Sequence, residues 1–217
     1  MAADVITLSN YDYTLKVLLL GDASVAKTSF TKRYCYNIFN PSEQLTIGVD
    51  FYFKNIESHG KKIKFQFWDI GNEERFRFLL PTYCLGANAA LLVYDVSNPH
   101  TLDNIIEWVK IVRKKAGNIP FGMVGMFMDG KKNRVISREH AINMVKTLDL
   151  DFYGEISIKT GQNLEKMFQV LTEILLEKLE KPSMLIAVER FYINPSKNTL
   201  KRRLYEFLQK LKRLYFK

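Results

Sequence analysis

The stretch LKVLLLGDASVAKT (Leu15–Thr28) decides the fold of this chain. Leu15–Leu20 is a continuous β-type run, apolar except for Lys16, and Gly21 ends it. A polar loop then leads into Lys27–Tyr36, whose pattern indicates a helix. A strand, a glycine loop and a helix in this order form a βα unit, so we expect the chain to begin with one.

The loop of this unit, GDASVAKT, carries most of the phosphate-loop pattern G-x-x-x-x-G-K-[ST]. In that pattern backbone N–H groups surround phosphate oxygens, the lysine reaches the terminal phosphates and the hydroxyl binds Mg²⁺. Gly21, Lys27 and Thr28 match, whereas Ala26 replaces the second glycine, where the backbone approaches the phosphates and a Cβ atom is crowded. The alternative is a polar strand-to-helix turn without a ligand.

Apolar runs and amphipathic segments alternate from Leu15 to about Leu179. Val49–Ile56 and Ile63–Trp68 alternate apolar and polar residues on either side of a turn, which predicts a β-hairpin. Three later apolar runs predict buried strands: Ala89–Asp95, Phe121–Met128 and Phe152–Ile158. Helical segments begin near Thr101, Ser137 and Gly161, and Thr101 is the better candidate for a helix cap than Ser137.

This order of elements predicts an α/β fold. The sheet is six-stranded and mostly parallel, with one antiparallel edge strand and helices on both faces. Ligands of such folds bind beyond the carboxyl ends of the strands.

The charge of the chain is concentrated near its end. The 217 residues carry a net charge of +9, and residues 197–217 hold eight basic side chains and one acid, so the remainder is close to neutral at +2. Seven apolar residues of this segment recur at helical spacing, which predicts a basic amphipathic helix: Leu200, Leu204, Phe207, Leu208, Leu211, Leu214 and Tyr215. The two cysteines, Cys35 and Cys84, indicate a reducing compartment, and neither a secretory signal nor a spanning segment is expected.

The loop motif and three further runs together resemble Ras-superfamily small GTPases, closest to the Rab branch and similar to archaeal Rab-like GTPases. The three runs are LTIGVDF (Leu45–Phe51), Phe67–Pro99 and EISIKTGQNLEKMF (Glu155–Phe168). The resemblance covers Leu15 to about Leu179 and implies the P-loop GTPase fold, GTP or GDP as ligand and Mg²⁺ as cofactor. It divides the chain into an extension (1–14), a GTPase domain (15–181) and a C-terminal extension (182–217).

The resemblance also assigns roles to individual residues. Lys27 and Glu73 take the catalytic positions, and Mg²⁺ is expected on Thr28 and Thr46, with Asp69 holding it through water. The nucleotide-binding positions are Gly21, Ser24, Val25, Ala26, Lys27, Thr28, Ser29, Thr46, Asn72, Asp129, Ser157, Ile158 and Lys159.

Two of the family's motifs are altered here. In D-x-x-G-Q, Asn72 replaces the glycine that meets the γ-phosphate, and Glu73 replaces the glutamine that orients the attacking water, so we expect slow hydrolysis. In N-K-x-D, Asp129 is kept for the guanine N–H groups, but Met126 and Phe127 replace the first two residues. Phe127 either stacks on the base or, with Met126, simply extends a buried strand.

Two functions therefore remain open. One is a guanine-nucleotide switch whose switch segments bind effector or regulatory proteins. The other is a pseudo-GTPase interaction module that binds a partner constitutively through an exposed surface of Tyr52, Arg77, Phe78 and Tyr83. Measuring the nucleotide content of the purified protein distinguishes them.

The location and remaining partners follow from the C-terminal segment. Rab-branch proteins usually end in prenylated cysteines, whereas this sequence ends in LYFK, so we expect a cytoplasmic protein that is not prenylated. Residues 197–217 either contact an anionic membrane surface or pack their leucine stripe on the domain. No motif for reading nucleic acid is present, so no nucleic-acid partner is expected.

Overall fold

The computed structural model describes residues 10–40, 46–71, 78–127, 134–180 and 191–193, the last three by their backbone alone. Within these residues seven strands form a single sheet: β1 (Tyr13–Leu20), β2 (Val49–Ser58), β3 (Lys61–Ile70), β4 (Ala89–Asp95), β5 (Phe121–Phe127), β6 (Phe152–Ser157) and β7 (Phe191–Ile193). Their order in the sheet is β2-β3-β1-β4-β5-β6-β7. The predicted helix within residues 197–217 lies outside the described residues.

The helices of the described residues are α1 (Lys27–Tyr36), α2 (Leu80–Tyr83), α3 (Ile105–Ala116), α4 (Arg138–Thr147) and α5 (Leu164–Glu180), with short 3₁₀ turns at Ala23–Val25 and Pro99–Leu102. None of them is long and apolar enough to cross a membrane.

The sheet confirms the predicted topology and extends it. β2 is the edge strand and pairs antiparallel with β3 through the two-residue turn His59-Gly60, where both residues have positive φ angles of 51° and 70°. The other pairings are parallel, with β1 between β3 and β4. The six predicted strands are all present, and within the described residues Phe191–Ile193 adds a seventh to the free edge of β6. Its sequence had no clear period, and only an open sheet edge makes so short a segment a strand.

The core has two parts because the sheet is covered on both faces. One cluster packs α1 and α5 against the sheet, and in it the ring of Phe168 stacks on Phe30 and Tyr34 with centroid distances of 5.4 and 3.5 Å. The other cluster packs α2, α3 and α4 against the opposite face. Cys35 and Cys84 are buried free thiols, one in each cluster.

The helix starts differ from the prediction at one place. Ser137 caps α4, since its hydroxyl accepts a hydrogen bond from the backbone N–H of His140 at 3.1 Å. Thr101 was predicted to be the better cap, and this is wrong: it lies buried inside the 3₁₀ turn, where its hydroxyl accepts from the N–H of Asp95 at 3.0 Å. Asn98 caps that turn instead, because its side chain accepts from the N–H of His100.

Candidate functional site

The phosphate loop follows the carboxyl end of β1, beside the end of β3. Parallel pairing places Leu19 opposite Asp69, so the loop and this carboxylate come together at the carboxyl ends of the strands. Gly21 is required at the start of the loop, since a Cβ atom there would lie 2.5 Å from the carbonyl oxygen of Val93 on β4. The close packing of this residue on β4 fixes where the loop leaves the sheet.

The side chain of Lys27 is folded back into the loop. It is only 5% exposed, and its Nζ donates to the carbonyl oxygens of Gly21 at 2.7 Å and Asp22 at 3.1 Å. Burial lowers the pKa of Lys27, and the charges of Asp69 and Asp22 oppose that effect. A buried amine that, among the described residues, donates to neutral carbonyl oxygens is suited to a multiply charged anion, such as phosphate, that enters the loop.

Ala26 joins the 3₁₀ turn to α1 in the left-handed conformation, with φ 53° and ψ 41°. This conformation costs a residue with a Cβ atom about 1–2 kcal/mol, which is why the pattern carries glycine here. The fold therefore retains the phosphate-loop backbone even though the glycine is missing.

Three oxygen-bearing side chains from different segments converge next to the lysine. The hydroxyl of Thr28 donates to Oδ2 of Asp69 at 2.5 Å and lies 2.7 Å from the hydroxyl of Thr46, which is itself 3.2 Å from the same Oδ2 atom. Oδ1 of Asp69 is buried and has no hydrogen-bond partner among the described residues. Hydroxyl and carboxylate oxygens are the ligands that Mg²⁺ prefers, so the set fits this ion, and the unpartnered oxygen is available to a water of its hydration shell.

Burial also affects the carboxyl group of Asp69. It raises the pKa of Asp69, and Lys27 together with the two threonine hydroxyls opposes the rise. Added positive charge at this position would favour the ionised carboxylate further.

Gly71 allows the segment of Thr46 to approach β3. Its backbone N–H donates to the carbonyl oxygen of Gly48 at 2.8 Å, and a Cβ atom at this position would overlap the carbonyl oxygen of Thr46. A side chain at position 71 would therefore displace Thr46 from Thr28 and Asp69.

On the side of the site where the base is expected, Met126 and Phe127 extend strand β5, which was the alternative to base stacking by Phe127. Met126 is fully buried in the cluster of α1 and α5, and Phe127, the last residue of β5, packs against the opposite cluster. The guanidinium of Arg134 lies 5.1 Å from the ring centroid of Phe127. Met126 thus belongs to the core, and Phe127 extends the strand and lies partly buried at the margin of the core.

Ser157 is the last residue of β6, and Ile158 and Lys159 follow it directly. Ile158 is buried and Lys159 is exposed, and the Ser157 hydroxyl accepts from the N–H of Thr160 at 3.3 Å. Within the phosphate loop, Val25 and Ser29 are buried and Ser24 is exposed. Asn72, Glu73 and Asp129 lie outside the described residues.

A buried ionic network beside the base loops was missed from the sequence. Glu155 is fully buried and accepts from both nitrogens of Arg134 at 2.9 and 2.8 Å, from Arg138 at 2.6 Å and from the hydroxyl of Tyr153. Tyr94 on β4 bonds the Tyr153 hydroxyl at 2.9 Å. Nothing in a single sequence pairs these residues, because the sheet brings them together from four separate segments.

The predicted partner surface is only partly exposed. Phe78 is 73% exposed, but Tyr52 is 7% exposed and packs in the core, so its assignment to this surface is wrong; Arg77 lies outside the described residues. Tyr52 sits on the inner face of β2, since the side chains of a strand alternate between its faces.

The outer face of β2 carries Phe51 and Phe53, which are 47% and 45% exposed. The ring of Phe51 meets Trp68 edge to face at 4.7 Å, and Trp68 lies 6.0 Å from the half-buried Tyr83. We call Phe51, Phe53, Trp68 and Tyr83 the aromatic surface. The sequence indicated only that Phe51 and Phe53 lie on the same face of a strand, because they are two residues apart.

Comparison with known proteins adds the family context. The model of the Ras family matches residues 16–177. The Ras-related protein SEC4 of Candida albicans is 37% identical over 169 residues, which cover 77% of this chain and 80% of that relative. Human Ras-related protein Rab-30 is 34% identical over 163 residues (75% and 80%), and GTP-binding protein Rab-3D of Rattus norvegicus is 34% identical over 173 residues (79% and 78%).

Proposed function

This chain belongs to the Ras family of small GTPases and is Rab-like, and from that premise we propose that it is a molecular switch controlled by guanine nucleotide. The observation that carries the proposal is the convergence of Thr28, Thr46 and Asp69 beside the buried Lys27. The convergence of these groups from three separate segments supports a site for a nucleotide phosphate and its metal ion.

In this proposal Lys27 exchanges its carbonyl acceptors for the terminal phosphates of the nucleotide. Thr28, Thr46 and Asp69 would hold Mg²⁺ through their hydroxyl and carboxylate oxygens. The ion, when bound, offsets the negative charge of the phosphate chain. The N–H groups of residues 24–29 bind the phosphates, and Asn72 adds a contact to the γ-phosphate. The loop at residues 157–159 binds the base together with Asp129.

Thr46 is the residue that makes the site a switch. It lies just before β2, whose outer face carries half of the aromatic surface, so a change in the position of Thr46 would reach the residues that a partner contacts. We propose that effector or regulatory proteins bind the aromatic surface together with Phe78. Glu73, in place of glutamine, makes intrinsic hydrolysis slow, because a carboxylate is repelled by the γ-phosphate.

The nucleotide content of the purified full-length protein tests this function. We expect nearly stoichiometric GDP or GTP after acid release from undialysed protein, and its loss in Lys27→Met, since the buried amine is the main positive charge in the loop. Lys110→Met, an exposed lysine on α3, is the matched control and should keep its nucleotide. Empty wild-type protein that still binds a partner through Phe51 and Phe78 would overturn the switch and establish a pseudo-GTPase interaction module.

We further propose that residues 15–181 form the GTPase domain, to whose sheet Phe191–Ile193 adds a strand, and that residues 197–217 of the C-terminal extension (182–217) dock on anionic membranes. The support is its charge, since residues 197–217 hold eight basic side chains and one acid. The full chain should float with vesicles containing phosphatidylserine, and replacing Lys201, Arg202 and Arg203 with glutamine should release it. Equal flotation of both proteins would contradict membrane docking.

A further inference from the structure

A hydrogen bond connects the phosphate loop to the start of α3. Nδ2 of Asn104, the residue before α3, donates to Oδ1 of Asp22 at 3.1 Å, although the two residues are 82 positions apart. Both side chains are partly buried. Neither belongs to the set that the phosphate-loop pattern assigns to the nucleotide.

The carbonyl oxygen of Asp22 accepts two hydrogen bonds that shape the phosphate loop. It accepts from Nζ of Lys27 at 3.1 Å and from the N–H of Val25 at 3.3 Å. The first bond holds the amine of Lys27 inside the loop. The second closes the 3₁₀ turn that precedes Ala26, which has the left-handed conformation. Any movement of Asp22 therefore moves both the lysine and the most strained residue of the loop.

We propose that Asn104 is a positioning residue that holds the phosphate loop in its binding conformation through Asp22. The loop is fixed on its other side by the packing of Gly21 against Val93, so Asn104 supplies the second attachment. This attachment matters more here than in a loop with glycine at position 26, because the left-handed conformation is less favourable for alanine than for glycine.

This proposal rests on the proposed function, and it is tested in full-length protein by two readouts. The first is the rate at which GDP dissociates from the Mg²⁺–GDP complex. The second is amide hydrogen exchange of residues 21–28 in nucleotide-free protein, which needs no nucleotide binding. The melting temperature of each variant is recorded to exclude global unfolding.

We expect Asn104→Ala to accelerate GDP release about tenfold, the lower end of the effect of losing one hydrogen bond to a charged group because both side chains are only partly buried, and to accelerate exchange in the loop. Asn104→Asp should accelerate both further, because two carboxylates then face each other. The exchanged pair, Asp22→Asn with Asn104→Asp, restores an amide facing a carboxylate and should return release to within about twofold of wild type. Glu107→Ala, exposed in the same helix, is the control.

Unchanged exchange and unchanged GDP release in Asn104→Ala would overturn the positioning role. So would an exchanged pair that is no better than Asn104→Asp alone, since a merely structural asparagine is not rescued by reversing the pair. If wild-type protein binds no GDP, the proposed function fails, and the exchange measurement by itself decides whether Asn104 holds the loop.

Discussion

Replacing Glu155 with glutamine is expected to destabilise the protein by about 3–5 kcal/mol at pH 7, the usual cost of removing one partner from a buried ion pair. Glu155 is fully buried, whereas Arg134 and Arg138 retain 29% and 30% side-chain exposure, so water screens part of the loss and the lower end of this range is expected. Glutamine keeps the shape and one acceptor oxygen, but it removes the negative charge and turns an N–H group towards a cation, which leaves one guanidinium contact without its acceptor.

The pH dependence follows from the same contacts. Burial by itself would raise the pKa of Glu155, but the hydrogen bonds from Arg134, Arg138 and Tyr153 outweigh it, so the pKa is lowered below its ordinary value. A lowered pKa in the folded state means that the stabilisation is complete above the unfolded-state pKa of about 4.3 and is lost as the pH falls through the folded-state pKa. The difference between wild type and Glu155→Gln should thus be constant near neutral pH and shrink below about pH 4.

Urea denaturation of the full-length protein, followed by circular dichroism at several pH values, measures this difference. Glu139→Gln is the matched control, because Glu139 is exposed in α4 next to Arg138 and should change the free energy of unfolding by less than about 0.5 kcal/mol. A Glu155→Gln protein as stable as wild type at pH 7, or a difference that grows towards acid pH, would refute the reasoning.

Other perturbations test further parts of the structure. Ala26→Gly should raise the free energy of unfolding by about 0.5–1 kcal/mol, since the relief of left-handed alanine exceeds the added freedom of the unfolded chain; a lower urea midpoint would contradict this. Gly71→Ala should cost about 1–3 kcal/mol and abolish the dependence of nucleotide retention on Mg²⁺, because its Cβ displaces Thr46; retention that still responds to chelation would argue against it. Burial raises the pKa of Cys35 to about 12 and that of Cys84 to about 11, so both remain protonated at pH 8, and iodoacetamide should label them only in urea, which intact-mass analysis would show.

The site divides into parts that were predictable and parts that were not. Lys27 and Thr28 could be assigned because the phosphate loop is a local motif whose geometry depends on residues adjacent in sequence. Tyr52 could not be placed correctly, because an aromatic residue in an edge strand fits either face and only the pairing of β2 with β3 turns it inward. Phe127 was ambiguous for the same reason, and in the structure it ends β5 partly buried against the core, with Arg134 beside its ring.

The sequence by itself determined the βα order, the phosphate loop and the family, because hydrophobic periodicity and short motifs act over a few residues. Only the tertiary structure decided the contacts between distant segments. It brought Thr46 and Asp69 to Thr28, assembled the network around Glu155, joined Asn104 to Asp22 and made a seventh strand of Phe191–Ile193. Each of these contacts depends on which strand ends meet at one edge of the sheet, and that is set by packing of the whole domain rather than by local preference.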